Sequence, residues 1–197
     1  MVWSMSYRPK PDSYPRAEVI EGNKGELELE DMSDDGGIGL RMSRSFSGRR
    51  AKPESVPKVI RWKSERRLLD YETACRKTVS ERFRALIEEM EPGVHQFEPI
   101  GFVASDGSPI EDRWFWQICN RIDSVHAELS NLIFKNRGWF PPPKPEVPRM
   151  VFDLSKIDSA QFWHDRHGSG TFVSDAAKVK IEAAGIAGVH FQHFDQA

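Results

Sequence analysis

The sequence predicts an α+β fold in which a mixed, largely antiparallel sheet is packed by a few helices. Several segments alternate between apolar and polar residues with the period of two that is typical of strands. The stretch RWFWQICNRIDSV (113–125) carries apolar residues on both of its faces, which indicates a central strand. Two similar helix–strand units recur near residues 79–100 and 173–194. A hydrophobic fraction of 39% over 197 residues is sufficient for a core.

The N-terminal part of the chain predicts a β-hairpin. GELELEDM (25–32) and IGLRMSRSF (38–46) both alternate like strands, and the turn-forming residues SDDGG lie between them. Acidic residues concentrate in the first strand and basic residues in and after the second, so we interpret the charge segregation as cross-strand pairing. The alternative is a basic patch at GRRAK (48–52) that binds an acidic partner.

Helix and strand patterns alternate in the middle of the chain. Residues 64–78 combine helix-forming residues with an apolar set and predict one helix or two short ones. A stronger helix runs from its cap at Ser80 to about Met90, with apolar residues at the spacing of a buried stripe. Residues 94–102 are predicted to be extended.

The C-terminal third predicts three further strands and a proline-rich loop. Residues 135–148 carry too many prolines for a sheet or a helix. Residues 149–157 predict a strand, and residues 159–173 predict two strands joined by a glycine turn.

The two repeated units share a set of structural residues. In the second unit we expect Ser174 to cap the helix, Asp175 to complement its dipole, and Gly185 and Gly188 to end it and turn the chain into the last strand. An apolar stripe of Ala177, Ile181 and Ala184 would face the sheet. In the first unit the corresponding residues are Ser80 and Gly93. We interpret both units as packing elements rather than as a duplicated active site. 

The chain is expected to form one globular unit. Residues 1–55 would be a β-hairpin-rich segment packed against an α+β domain of residues 56–197.

Composition excludes several classes of function. The chain has 28 basic and 30 acidic residues, and this balance gives no reason to expect a nucleic-acid partner. No apolar run approaches the ~20 residues that span a bilayer, so no membrane association is expected. The N-terminus lacks the apolar region of a secretory signal, and two cysteines cannot form a disulfide framework, which together favour the cytoplasm.

Among the sequence patterns that could indicate an enzyme, the spacing of the histidines is the strongest. HDRH and HFQH place His164, His167, His190 and His193 in two HxxH pairs, and a metal-dependent hydrolase could be built on them. Both pairs lie in segments predicted to be extended, where residues three apart face opposite sides of a sheet. We therefore expect no metal, no cofactor and no catalytic residues.

Binding to another protein is the remaining class. Arg137, Trp139 and Phe140 combine residue types that are enriched at interface hot spots, next to a pre-extended polyproline run. The alternative is that these aromatic side chains fold back onto the sheet. A second candidate surface consists of three basic residues of the N-terminal segment: Arg41, Arg49 and Arg50.

The chain also resembles a known family, the immunity protein 11 family of bacterial polymorphic toxin systems (formerly domain of unknown function 1629). The resemblance covers roughly residues 56–195 and is most specific in the closing motif. The segments that carry it are VSERFRALIEEMEPGVHQFEPI (79–100), RWFWQICNRIDSVHAE (113–128), MVFDLSKIDSAQFWHD (150–165) and TFVSDAAKVKIEAAGIAGVHFQHF (171–194).

The resemblance implies an α+β fold without catalytic activity. Proteins of this kind are antidotes that are made beside a toxin and bind it in the cytoplasm. It therefore implies that this chain binds and neutralises a cognate toxin, encoded by an adjacent gene. A regulatory interaction module that is unconnected with toxins remains an alternative.

Overall fold

The structure is a computed structural model that describes residues 1–7, 15–33 and 43–197. The first seven strands are β1 (Val2–Tyr7), β2 (Ala17–Gly22), β3 (Pro57–Trp62), β4 (Tyr71–Glu72), β5 (Thr78–Val79), β6 (Gln96–Val103) and β7 (Pro109–Gln117). The others are β8 (Arg121–Ile122), β9 (Ile133–Lys135), β10 (Gly138–Phe140), β11 (Val151–Phe152), β12 (Phe162–Asp165), β13 (Phe172–Ser174) and β14 (Val189–Gln196). The helices are α1 (Glu81–Met90), α2 (Leu154–Ile157) and α3 (Asp175–Ala183).

These strands form two six-stranded sheets and a separate hairpin. The central sheet has the strand order β2-β3-β6-β7-β5-β4, and the terminal sheet has the order β11-β14-β1-β13-β12-β8. The hairpin consists of β9 and β10. Three neighbouring pairs are parallel, namely β3/β6, β8/β12 and β11/β14, and the rest are antiparallel. The predicted α+β class with largely antiparallel pairing is confirmed.

Each repeated unit is a split β-α-β element in one of the two sheets. In the first unit, β5 leads into α1 and α1 into β6, and both strands pair antiparallel with β7 between them. In the second unit, β13 leads into α3 and α3 into β14, and both strands pair antiparallel with β1. The two helices also contact each other. The repeat seen in the sequence therefore corresponds to two equivalent packing elements.

Both predicted helix caps are confirmed. Ser80 Oγ accepts a hydrogen bond from Phe83 N–H at 3.3 Å, and Ser174 Oγ accepts one from Ala177 N–H at 3.0 Å. Gly188 has a φ of 92°, and a Cβ at this position would collide with the carbonyl oxygen of Tyr71. Only glycine fits a positive φ with so close an approach, so Gly188 fixes the entry into β14.

The largest apolar cluster lies where the two helices meet the sheets. Its buried members include Phe83 and Ile87 of α1, Ala177 and Ile181 of α3, and Trp116 of β7. A second cluster fills the space beside β3 and β6, and a third lies under β11 to β13. One part of the predicted stripe on α3 is wrong, because Ala184 is exposed at the end of the helix.

The helix predicted over 64–78 is wrong. This segment is irregular except for the short strands β4 and β5. Its charged side chains make contacts that a helix would not allow: Arg66 binds Glu72, six residues away, at 2.6 Å and donates to the hydroxyl of the distant Tyr7. These tertiary interactions override the helix propensity of the segment.

The predicted N-terminal hairpin is only partly recovered. Residues 25–32 are not a strand, and Leu29 forms a single antiparallel bridge with Ala51. Residues 34–42, including Arg41, lie outside the described residues, and Arg44–Phe46 form a 3-10 turn instead of a strand end. Acids and bases of the two segments do pair, although not across two strands as the sequence predicts. The ion pairs are Glu26–Arg44 at 3.7 Å, Glu28–Lys52 at 3.2 Å and Asp31–Arg49 at 3.6 Å.

The strand predicted over 149–157 is also too long. Only Val151–Phe152 is extended, and α2 follows directly. Asp153 accounts for the change, since its carboxylate accepts a hydrogen bond from Ser155 N–H at 3.0 Å and caps the helix.

A buried carboxylate, that of Glu91, joins the first unit to the terminal sheet. Glu91 follows α1, and its two oxygens accept four hydrogen bonds. The donors are His95 Nε2 at 2.8 Å, Asn120 Nδ2 at 2.9 Å, Gln161 N at 3.0 Å and Phe162 N at 3.0 Å. Cys119 N–H donates to His95 Nδ1, so the proton of the ring lies on Nε2 and points at Glu91. Because the donors come from three different segments, Glu91 fixes α1 and β7 against β12.

A second buried carboxylate, that of Asp70, holds the two units together. It accepts hydrogen bonds from Arg82 Nε at 2.6 Å, Ser80 Oγ at 2.7 Å and Ala187 N–H at 2.8 Å. Burial by itself raises the pKa of Asp70, but the hydrogen bonds from Arg82, Ala187 and Ser80 outweigh it and lower the pKa to about 2.

Acid is therefore expected to destabilise the fold through Asp70. A carboxyl group with a lowered folded-state pKa stabilises the fold above its unfolded pKa, and this stabilisation is lost as the pH falls from about 4 to about 2. Urea titrations should give a lower free energy of unfolding at pH 2.5 than at pH 7. In the Asp70→Asn variant this decrease should be smaller by about 2 kcal/mol. Equal pH dependence in the two proteins would contradict this assignment.

Candidate partner-binding surface

The β9–β10 hairpin presents a rigid turn at the protein surface. Ile133 lies opposite Phe140, and Phe134 lies opposite Trp139. The two turn residues, Asn136 and Arg137, have positive φ angles of 49° and 61°, as in a type I′ turn. Arginine rarely adopts this backbone conformation, so the turn holds the exposed Arg137 in a strained position at the tip.

The inner face of the hairpin is anchored to the terminal sheet. The backbone N–H of Trp139 donates to the carbonyl oxygen of His167 at 3.0 Å. His167 Nδ1 lies 3.1 Å from the carbonyl oxygen of Arg137. The Trp139 side chain packs against the third apolar cluster. The interpretation that the aromatic residues fold back onto the sheet therefore holds for Trp139.

Other apolar side chains of this region face solvent. Nine large hydrophobic side chains are exposed among the described residues, and four of them fall within residues 129–147. They are Leu129 (47% exposed), Ile133 (40%), Phe134 (50%) and Val147 (80%), and we call these four residues, which lie on both faces of the hairpin and beside it, the hairpin patch. The side-chain amide of Asn131 donates to the carbonyl oxygen of Val147 at 2.9 Å, which ties the proline-rich segment to the hairpin.

Two basic side chains, those of Lys135 and Arg137, lie at the turn end of the hairpin. The ammonium group of Lys135 lies 4.9 Å from the centre of the half-buried Phe140 ring, and Arg137 is one turn residue away. Exposed apolar side chains next to arginine and aromatic residues have the composition that protein–protein interfaces favour.

The sequence-predicted binding residues fall into two groups. Arg137, Trp139 and Phe140 come together in the hairpin, although Trp139 faces inward. Arg49 lies in the segment before β3 and donates to the carbonyl oxygens of Asp31 and Ser33 at 2.8 and 2.6 Å. Arg50 is exposed, and its guanidinium donates to the carbonyl oxygen of Gly93 at 3.1 Å.

Sequence reasoning missed the exposed apolar residues of this surface that precede the turn, namely Leu129, Ile133 and Phe134. The signal was available, because Asn136 lies between the apolar pairs Ile133–Phe134 and Trp139–Phe140, which is the pattern of a two-residue hairpin. The predicted interface residues instead lie on the C-terminal side of the turn, next to the proline run beyond Phe140.

The four histidines of the metal hypothesis have separate environments. His167 binds the hairpin, and the His193 ring packs on Trp3 with a centroid distance of 4.9 Å. His190 and His193 both lie in β14, three residues apart and therefore on opposite faces. Within the described ranges, no group of three or more histidine, cysteine, aspartate or glutamate side chains is positioned to hold a metal ion.

His164 is buried and has both ring nitrogens engaged. Nδ1 donates to the carbonyl oxygen of Gly170 at 2.6 Å, so Nε2 carries no proton and accepts from the Lys77 ammonium group at 3.2 Å. Burial, together with the charge of Lys77, lowers the pKa of His164 well below its usual value. Burial also lowers the pKa of Lys77 to about 7. The pair tethers β12 to the loop before β5.

No helix of the described residues has both the length and the apolarity needed to cross a membrane. The elements above define an α+β protein that consists of two split β-α-β units and an anchored, exposed hairpin. The model of the immunity protein family (Imm11) matches residues 15–196, and the chain belongs to this family. Membership indicates an immunity role. No curated protein sequence matches the chain.

Proposed function

We propose that this chain is an immunity protein that neutralises a cognate bacterial toxin by stoichiometric binding, without catalysis. The observation that carries the proposal is the family match over residues 15–196, nearly the whole chain. The toxin would belong to a polymorphic toxin system and be encoded by an adjacent gene. Both proteins would meet in the bacterial cytoplasm.

We assign the toxin-binding surface to the hairpin patch together with Arg137 and Phe140. Three properties support this assignment. The region concentrates exposed apolar side chains, the basic residues Lys135 and Arg137 lie at the turn, and the hairpin backbone is held by hydrogen bonds to His167. A pre-organised surface loses little conformational entropy when it binds, and this favours high affinity.

The segment of Arg49 and Arg50 is the weaker candidate. Arg49 donates to two carbonyl oxygens and pairs with Asp31, so it contributes to the fold of its own segment. A toxin that bound there would have to compete with these interactions.

Co-expression tests the proposed function. The protein from the adjacent gene should arrest growth when it is expressed alone, and co-expression of this chain should restore growth. The two proteins should co-purify in a fixed ratio and elute as one complex. The proposal fails if the neighbouring protein is harmless alone and the two proteins do not co-purify.

A further inference from the structure

His167 contacts the hairpin through both its backbone and its side chain. Its carbonyl oxygen accepts a hydrogen bond from the backbone N–H of Trp139 at 3.0 Å, and its Nδ1 lies 3.1 Å from the carbonyl oxygen of Arg137. Its ring meets the Phe134 ring edge to face, with a centroid distance of 5.0 Å. One residue of the loop after β12 therefore contacts both the second turn residue and a member of the hairpin patch.

The tautomer of the His167 ring follows from this geometry. A carbonyl oxygen can only accept a hydrogen bond, so Nδ1 donates to Arg137 O and carries the proton of the neutral ring. Arg137 has a φ of 61°, which is an unfavourable conformation for a residue with a side chain. The hydrogen bond acts on the carbonyl group of this same residue, and so it opposes relaxation of the turn toward a more common conformation.

The backbone of His167 is itself fixed by the interior of the terminal sheet. His167 N–H donates to Asp165 Oδ1 at 2.8 Å. The other carboxylate oxygen of Asp165 accepts from the N–H and from the hydroxyl of Ser124, both at 2.9 Å. Asp165 and Ser124 are fully buried. His167 therefore links a buried part of the sheet to the tip of the hairpin.

We propose that His167 is a positioning residue, whose Nδ1–H group holds the hairpin turn and the hairpin patch in the arrangement that the protein partner recognises. This inference rests on the proposed function, because the partner is the toxin that would bind the hairpin patch. A surface that is held in its bound arrangement loses less conformational entropy on binding. Loss of the Nδ1 donor should therefore weaken binding without any contact between His167 and the toxin.

Three substitutions separate the donor of His167 from its ring. His167→Asn keeps an N–H donor, placed as many bonds from the backbone as Nδ1, and removes the ring. His167→Phe keeps a ring against Phe134 and removes the donor. His167→Ala removes both groups.

Limited digestion by trypsin measures the stability of the turn in the free chain, because the enzyme cleaves after Lys135 and Arg137 when the hairpin opens locally. Cleavage at these two bonds should be about fivefold faster or more in His167→Ala and His167→Phe, which lose one hydrogen bond. In His167→Asn it should stay within about twofold of the unmodified chain. Cleavage outside the hairpin should be equal in all four proteins and is the control for the fold. A His167→Phe protein that is cleaved as slowly as the unmodified chain overturns the proposal.

A second measurement needs no substitution. Under mildly alkaline conditions, where histidine is neutral, an NMR spectrum that correlates ring protons with ring nitrogens should show the proton of His167 on Nδ1. A neutral ring that is protonated on Nε2 overturns the proposal.

Titration with the toxin distinguishes this inference from the proposed function. The dissociation constant should rise about fivefold or more in His167→Ala and His167→Phe, and it should stay within about twofold in His167→Asn. A toxin that binds all four proteins equally overturns the role of His167, while the immunity role stands. A neighbouring protein that neither arrests growth nor co-purifies contradicts the immunity role and overturns this proposal with it.

Discussion

Replacing Phe134 with aspartate is expected to abolish toxin neutralisation while leaving the fold intact. Phe134 is 50% exposed, with its ring on Trp139 and His167, and a partner would cover the exposed half. The change would bury a carboxylate without a partner and remove an aromatic contact, and both effects weaken binding. We expect the dissociation constant of the complex to rise by roughly 30-fold or more, which corresponds to about 2 kcal/mol. Calorimetric titration of each variant with the toxin measures this dissociation constant.

The matched control is Val179→Asp, on the outer face of α3. Val179 is 55% exposed, so the same charge is placed on an equally accessible apolar site outside the hairpin patch. Its affinity should stay within about threefold of the unmodified protein. If Phe134→Asp and Val179→Asp bind the toxin equally well, the hairpin patch is not the interface, although the immunity role would stand.

Replacing Glu91 with alanine is expected to cause a large loss of stability. The Glu91 carboxylate accepts four hydrogen bonds from groups of other segments, and alanine would leave these buried donors without partners. Each unsatisfied buried donor costs about 1–3 kcal/mol, partly recovered by relaxation, so we expect a total of about 3–5 kcal/mol. The shift of the urea midpoint at constant m-value measures this loss.

Glu89→Ala provides the control two residues earlier. Glu89 is exposed and makes an ion pair with Lys180 at 2.8 Å, and an exposed pair of this kind contributes at most about 1 kcal/mol. A Glu91→Ala protein as stable as the Glu89→Ala protein would show that the network does not hold the sheets together.

The elements that the sequence predicts correctly depend on local patterns. Ser80 and Ser174 begin helices because their side chains bind backbone groups three residues away, and this spacing is visible in the sequence. The strands β6, β7, β12 and β14 follow from alternation and from turn residues. In each case the information lies within a window of about ten residues.

The errors arise where distant partners decide the structure. The segment 64–78 has the composition of a helix, yet Arg66 and Asp70 bind groups that lie far from any local window. The same reason hides the position of β1 between β13 and β14. For the candidate surface, the sequence indicates which residue types bind proteins, but it does not show that Trp139 packs against the third apolar cluster while Phe134, on the same face, stays half exposed.

The two split β-α-β units differ in when they can fold. The first is complete within Thr78–Gln117, whereas the second needs β1 between β13 and β14, with Trp3 and Asp175 172 residues apart. Closing so long a loop is slow, and it must wait until the last strand has left the ribosome. We therefore expect the newly made chain to carry a finished central sheet and an open terminal one until β14 has emerged. Trp3, Trp139 and Trp163, whose indoles report on the terminal sheet and its hairpin, should be the last tryptophans to reach their native environment.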